Sequence, residues 1–300
     1  MARTFEISDE EVAGLGACVD ALATTGFDPR DEESLVHAAT QLRRLGNHRT
    51  FLGDILVDEL AARHRDEDTR NSYGPQVIML APPSERSFFM RANIWPSEDE
   101  HMMRASGGNS FVYGLPHDHN FDFLTLGYFG PGYWSDYYEY DYESVAGWSG
   151  EPVDLRFVER AALSEGKIVH YRAHRDVHAQ IPADSLSVSI NILHASGAQG
   201  WLDQYSFDVE ADTIKSVISP GGAEIFLRVA VGLGGAEAMD LAENFARSHP
   251  SDRMRLSALE AQAGVLDIAA QDDLWRRAEG AGSVLIAREA ANKRAALELA

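Results

Sequence analysis

His117-Asp118-His119 is the stretch whose residue types and spacing point most directly to chemistry. Two imidazoles two residues apart on an extended backbone project to one face, because side chains alternate along a strand, so both can reach a single divalent ion. Imidazole serves Fe, Zn, Ni, Cu and Mn alike, so the pair implies a metal without choosing it. The segment His170-Tyr-Arg-Ala-His174-Arg-Asp-Val-His178, about sixty residues downstream, can complete the site. Its three histidines share strand parity but would span about 26 Å if fully extended, so one of them at most joins the pair. Asp122 adds a carboxylate only if a bulge re-aims its strand; otherwise it orients an imidazole N–H.

Around these residues lies an aromatic run from Tyr128 through Tyr133, Trp134, Tyr137 and Tyr138 to Tyr142. One face of it belongs in a strand core, and one or two hydroxyls are expected at a cavity mouth, donating hydrogen bonds to a substrate. Tyr128 and Tyr138 are the candidates for that role. Arg172 and Arg175 lie within the second histidine segment, and Arg172 is the candidate to grip a substrate carboxylate bidentately. His170 is expected as an inward residue. His101 and His194 read as surface or supporting residues, and His37, His48, His64 and His249 lie in helical arms without assigned chemistry.

The elements that must position this site change character along the chain. Residues 1–72 carry a helical pattern, with acidic starts at Asp9-Glu-Glu11 and Asp31-Glu-Glu33 and apolar residues every three or four positions, giving helices over about 9–24, 31–45 and from Phe51. After Asn71-Ser-Tyr-Gly-Pro75 the text becomes short apolar or alternating segments broken by Gly and Pro. Nine strand candidates follow, at about 76–81, 87–95, 111–114, 117–128, 133–142, 153–162, 167–173, 186–193 and 201–209. So many strands without a long helix between them predict an antiparallel β-barrel or jelly roll over 73–210. Residues 211–300 are Ala-, Leu- and Glu-rich and helical, and are expected to pack on the barrel or on a second copy. The fold class is therefore mixed, a central β-barrel flanked by helical regions.

The formal charge of 26 minus 47, or −21, argues against nucleic acid and anionic membrane as partners. The one basic cluster, Arg63-His-Arg65, is followed at once by Asp66-Glu-Asp68 and reads as a solvated helix end. A single cysteine, Cys18, excludes an intramolecular disulfide and a multi-thiolate metal site, and the absence of an apolar leader or span predicts a cytoplasmic protein.

Gly114-Leu-Pro-His117-Asp-His119, followed by Gly130-Pro-Gly132 and by Gly166 to His178, resembles the two motifs of the cupin superfamily over roughly residues 76–210. The resemblance implies His178 as the third ligand, with His174 the other choice. Phe123 and Leu124 stand where the family's glutamate is expected, and Ala173 and Arg175 replace its usual turn residues. The site thus resembles three-histidine Fe(II) dioxygenases of the cysteine dioxygenase type. Leu124 stands where some of those enzymes carry a crosslinked cysteine, so no such crosslink is expected. The resemblance implies Fe(II), with Zn, Mn or Ni as other ions three imidazoles accept, and O2 with a small anionic or chelating metabolite (thiol, enol or amino acid) as reactants. A metal-dependent isomerase or lyase, with a tyrosine or Glu139 moving protons, and a non-enzymatic ligand sensor are the other readings. A homodimer through the terminal helices is compatible with all three.

Overall fold

The computed structural model describes residues 2–65, 76–84, 86–219 and 221–299. The expected break at Asn71–Pro75 and the acidic run after Arg65 lie outside the described residues. The chain divides into two compact units: residues 1–141 with 154–197, and residues 142–153 with 198–300.

In the first unit the order is β1 (Arg3–Phe5), α1 (Leu15–Thr25), α2 (Glu32–Asn47), α3 (Phe51–Arg65), β2 (Val77–Ala81), β3 (Phe88–Trp95), α4 (His101–Ser106), β4 (Phe123–Phe129), β5 (Trp134–Glu139), β6 (Arg156–Ala162), β7 (Ile168–Tyr171), β8 (Asp176–Ile181) and β9 (Ser187–His194). Antiparallel pairing builds a six-stranded sheet in the order β1-β7-β4-β9-β3-β2 and a three-stranded sheet in the order β6-β5-β8. The expected closed barrel is not formed: these are separate sheets. Along the open side of β8, among the described residues, the chain before β4 adds only the isolated bridges Tyr113↔Gln180 and His117↔His178.

Strand alternation assigns each face of the six-stranded sheet. Met90, Leu124, Leu126, Ile168, Ile190 and Ile192 share a core with Cys18, Leu22, Leu42 and Leu45 of the helices. The alternate positions, Trp95, Phe123, Val169, Tyr171 and Leu193, share a second core with Tyr133, Tyr137 and Leu163. The N-terminal helices therefore cover one face of the sheet. The first of them starts at Leu15 rather than near Asp9, because Asp9 is used otherwise. Its Oδ1 accepts from Glu11 N, a local turn that competes with helix, and its Oδ2 accepts from Arg44 Nε at 2.9 Å.

At the β4–β5 turn, Gly130 and Gly132 have φ of +78° and +83°. A Cβ on Gly132 would lie 1.9 Å from the Leu163 carbonyl oxygen, so this hairpin requires a residue without a side chain.

The second unit holds β10 (Tyr205–Asp208), β11 (Thr213–Val217), α5 (Gly222–Gly232), α6 (Ala236–Ser248), α7 (Asp252–Ala263), α8 (Ile268–Ala278) and α9 (Val284–Leu297). The strand expected at 201–209 pairs with β11 in a two-stranded sheet and joins neither larger sheet. Residues 142–153 belong here because they bond to β11: Gly150 N donates to Ile214 O, and Ile214 N to Glu151 O. The helices α7, α8 and α9 begin at Ser251, Asp267 and Ser283, each of whose side chains accepts from a first-turn N–H. No described helix is long and apolar enough to cross a membrane.

Candidate metal centre

His117 and His178 exchange backbone hydrogen bonds, N to O at 3.0 and 2.9 Å, which fastens the chain before β4 to β8. His119 O accepts from His174 N at 2.8 Å in the β7–β8 turn. These bonds bring residues some sixty positions apart into register. The imidazoles of His117, His119 and His178 converge, with one nitrogen from each within 4.8 Å of the others and all three residues buried. Their ring centroids are 4.6 to 5.1 Å apart.

The tautomers suit metal binding. His117 Nδ1 lies 2.7 Å from the Leu115 carbonyl oxygen, to which only an N–H can bond. That fixes the proton on Nδ1 and leaves the Nε2 lone pair for an ion. His119 Nε2 and His178 Nε2 face each other at 3.0 Å, as two donors aimed at one point do. Burial holds all three rings neutral: it pushes His117 down to about 4 and the other two well below their usual value, with the Arg91 charge acting in the same direction on His117 and His119. No carboxylate joins the group among the described residues.

Around the imidazoles the walls are aromatic. Phe121 and Phe123 each lie 4.9 Å from the His119 ring. Tyr171 stacks on Phe123 at 4.5 Å and lies 4.6 Å from the His178 ring. Its hydroxyl is 2.8 Å from that of Tyr137. Burial raises the pKa of both phenols, so they stay protonated. Gln180 Nε2 lies 3.3 Å from each nitrogen of His178, while its buried Oε1 has no hydrogen-bond partner. The amide thus lies beside the His178 ring, equally near both of its nitrogens. Arg91 on β3 shares alternation with Phe89 and Trp95, on the face that packs with Tyr133 and Tyr137. Asp118, fully buried, accepts from the Tyr140 hydroxyl at 2.6 Å.

The structure thus brings together three of the candidates read from sequence and separates the others. Tyr128 shares the face of Leu124 and Leu126, stacks edge-on against Phe51 at 5.3 Å and donates its hydroxyl to His48 O, so it is helix-facing core. Tyr138 alternates with buried Tyr137 and packs on Phe157 at 5.4 Å. Arg172 is committed to Asp176 and Glu139, at 2.5 and 2.7 Å. His170 lies on the helix-facing side of β7, with Nε2 3.1 Å from Asp122 Oδ1. His174 occupies a left-handed position, φ +56°, which breaks the shared parity of the three histidines. Tyr137, Tyr171, Gln180 and Arg91 were not among the candidates. Gln180 was legible in principle, since it follows His178 by two and so shares its face.

No protein-family model and no curated protein matches the chain. Among solved structures, a structure of the DMSP lyases RdDddP and RnDddQII is similar at 14% identity, TM-score 0.28, over 68% of this chain and 84% of that one. The DMSP lyase DddQ from Ruegeria pomeroyi DSS-3 is similar at 10% identity and TM-score 0.25, over 66% and 79% of the two chains. Hydroquinone 1,2-dioxygenase PnpCD, in complex with Cd2+ and 4-hydroxybenzonitrile, is similar at 10% identity and TM-score 0.24, over 44% and 71%. Likenesses of this size decide neither fold nor activity.

Proposed function

We propose that the first unit is a cupin-type metal enzyme that carries out oxygen-dependent chemistry on a small anionic metabolite, with Fe(II) held by His117, His119 and His178. The observation that carries this reading is the convergence of three buried imidazoles with no carboxylate in the set. The donors fit such an ion: burial keeps each ring in its lone-pair-bearing form, and the Leu115 carbonyl turns one lone pair inward. A ferrous ion held by these residues would supply a Lewis-acidic, redox-capable centre for chemistry between substrate and O2.

The protein's own groups do the rest. Three neutral ligands leave the ion's charge uncompensated, and Arg91 adds to it, so the site attracts anions in a chain whose overall charge is −21. Phe121 and Phe123 keep water from the His119 side. The Tyr137 and Tyr171 hydroxyls, protonated at neutral pH, can donate hydrogen bonds but cannot abstract a proton. Glu139 on β5 and Asp176 on β8 are held in ion pairs by Arg172. With Asp118 bonded to the Tyr140 hydroxyl as well, the commitment of these carboxylates favours oxygenation over isomerisation or elimination.

The test is metal analysis followed by anaerobic Fe(II) loading and an oxygen-electrode assay with small thiols, amino acids and enolisable acids. Oxygen uptake that disappears in His119→Ala supports the proposal. Bound Zn or Mn with turnover indifferent to O2 selects the lyase or isomerase reading, and unchanged ligand response in His117→Ala selects a sensor.

A further inference from the structure

We infer that the helical unit carries a second binding site, between α6, α7 and α8, for a small carboxylate with an apolar body. A cavity of about 500 Å3 lies among these helices, lined by Arg247, Arg255 and Arg277 and by the apolar side chains of Leu259 and Leu274. That volume falls within the range of small-molecule pockets. Three guanidiniums line it against one carboxylate, Glu243. In a chain of formal charge −21 this reverses the prevailing sign of the field.

The use of the other arginines in this unit sets Arg247 and Arg277 apart. Arg228 pairs with Glu260, Arg253 with Asp203 and Glu224, Arg276 with Asp272 and Asp273, and Arg294 with Asp272 and Glu279. Arg288 lies over the Trp148 ring at 3.4 Å. Arg255 is pinned in the cavity wall by Asp252 Oδ1 at 2.8 Å and by the carbonyls of Ala246 and Ala281 at 3.3 and 3.2 Å. The side chains of Arg247 and Arg277 have neither ion pair nor hydrogen bond among the described residues. The helix dipole explains a cation in the last turn of α6 and of α8. It does not explain why both open on one cavity whose wall already holds a third guanidinium.

The chemistry that fits is an anionic head with a hydrophobic tail. A guanidinium fork matches a carboxylate bidentately, and Leu259 and Leu274, which also pack on Trp275 and Ile286, offer the tail an apolar wall. A free inorganic anion would leave that wall uncovered, and an uncharged ring would leave the arginines unpaired.

The experiment is calorimetric titration of the full chain with 2-naphthoate, 2-naphthylmethanol and inorganic phosphate. One naphthoate per chain is expected, with affinity falling about tenfold or more in Arg247→Gln/Arg277→Gln, and with the alcohol and phosphate binding much more weakly. The same affinity is expected in His117→Ala/His178→Ala, which separates this site from the metal centre. In parallel, naphthoate should protect Arg247 and Arg277 of the wild-type protein from p-hydroxyphenylglyoxal, read by peptide mass spectrometry, a readout that needs no variant to fold. Non-saturating binding, equal affinity in the arginine variant, loss in the histidine variant, alcohol or phosphate binding as tight as the acid, or absence of protection each overturns the proposal.

Discussion

The two units hold their polar groups in opposite ways. In the strand-rich unit three imidazoles are buried among phenylalanines and tyrosines, and burial strips them of charge. In the helical unit two guanidiniums stay exposed at a cavity and keep theirs. The difference teaches which ligand each environment can recruit. A dry pocket turns titratable side chains into neutral lone-pair donors suited to a cation, whereas a wet rim preserves fixed charge suited to an anion.

The largest effect that sharpens this contrast is expected at Gly132. A methyl group there meets the Leu163 carbonyl at 1.9 Å with φ at +83°, so Gly132→Ala should lower stability by about 3 kcal/mol or more in urea unfolding. Next, His119→Ala should weaken metal binding by about a hundredfold or more, measured by competition with a chromophoric chelator, while Arg247→Gln/Arg277→Gln leaves it unchanged. Equal metal affinity in the histidine variant would show that the buried imidazoles do not hold the ion. Gln180→Leu keeps the bulk but removes the amide beside His178, and should weaken metal binding about tenfold.

An effect confined to alkaline pH follows from Cys18, whose burial raises its pKa from 9.0 to about 12. The unfolded thiol ionises first as pH rises, so the stability this residue contributes is complete below pH 9.0 and declines between 9.0 and about 12. The difference in unfolding free energy between wild type and Cys18→Ala should therefore be flat below that window and fall by about 1.4 kcal/mol per pH unit within it. The smallest effect is expected at Gly264 in the helical unit. An added Cβ meets nothing closer than the Glu260 carbonyl at 3.5 Å, so Gly264→Ala should change stability by no more than about 0.5 kcal/mol.

Much of the metal centre was legible before the fold. His-x-His announces two donors on one face wherever the backbone is extended, and the second histidine cluster announces a third. The strand that carries His178, β8, was not legible. Residues 172–175 turn the chain between β7 and β8, and His174 takes a left-handed conformation there that nothing in its type demands. The aromatic run offered tyrosines at both parities of β5, so alternation alone could not say that Tyr137 faces inward and Tyr138 does not. Tyr128 failed for the same reason: which face of β4 meets the helices is set by what packs on it.

The sequence by itself determined the donor types, the acidic balance and the helical and strand-rich stretches, because these follow from side-chain chemistry and local periodicity. Tertiary structure decided which histidine joins the pair, which tyrosines accompany it, that the sheets stay open and that arginines of separate helices line one cavity. Those outcomes depend on contacts between residues tens of positions apart, and periodicity carries no record of which faces meet.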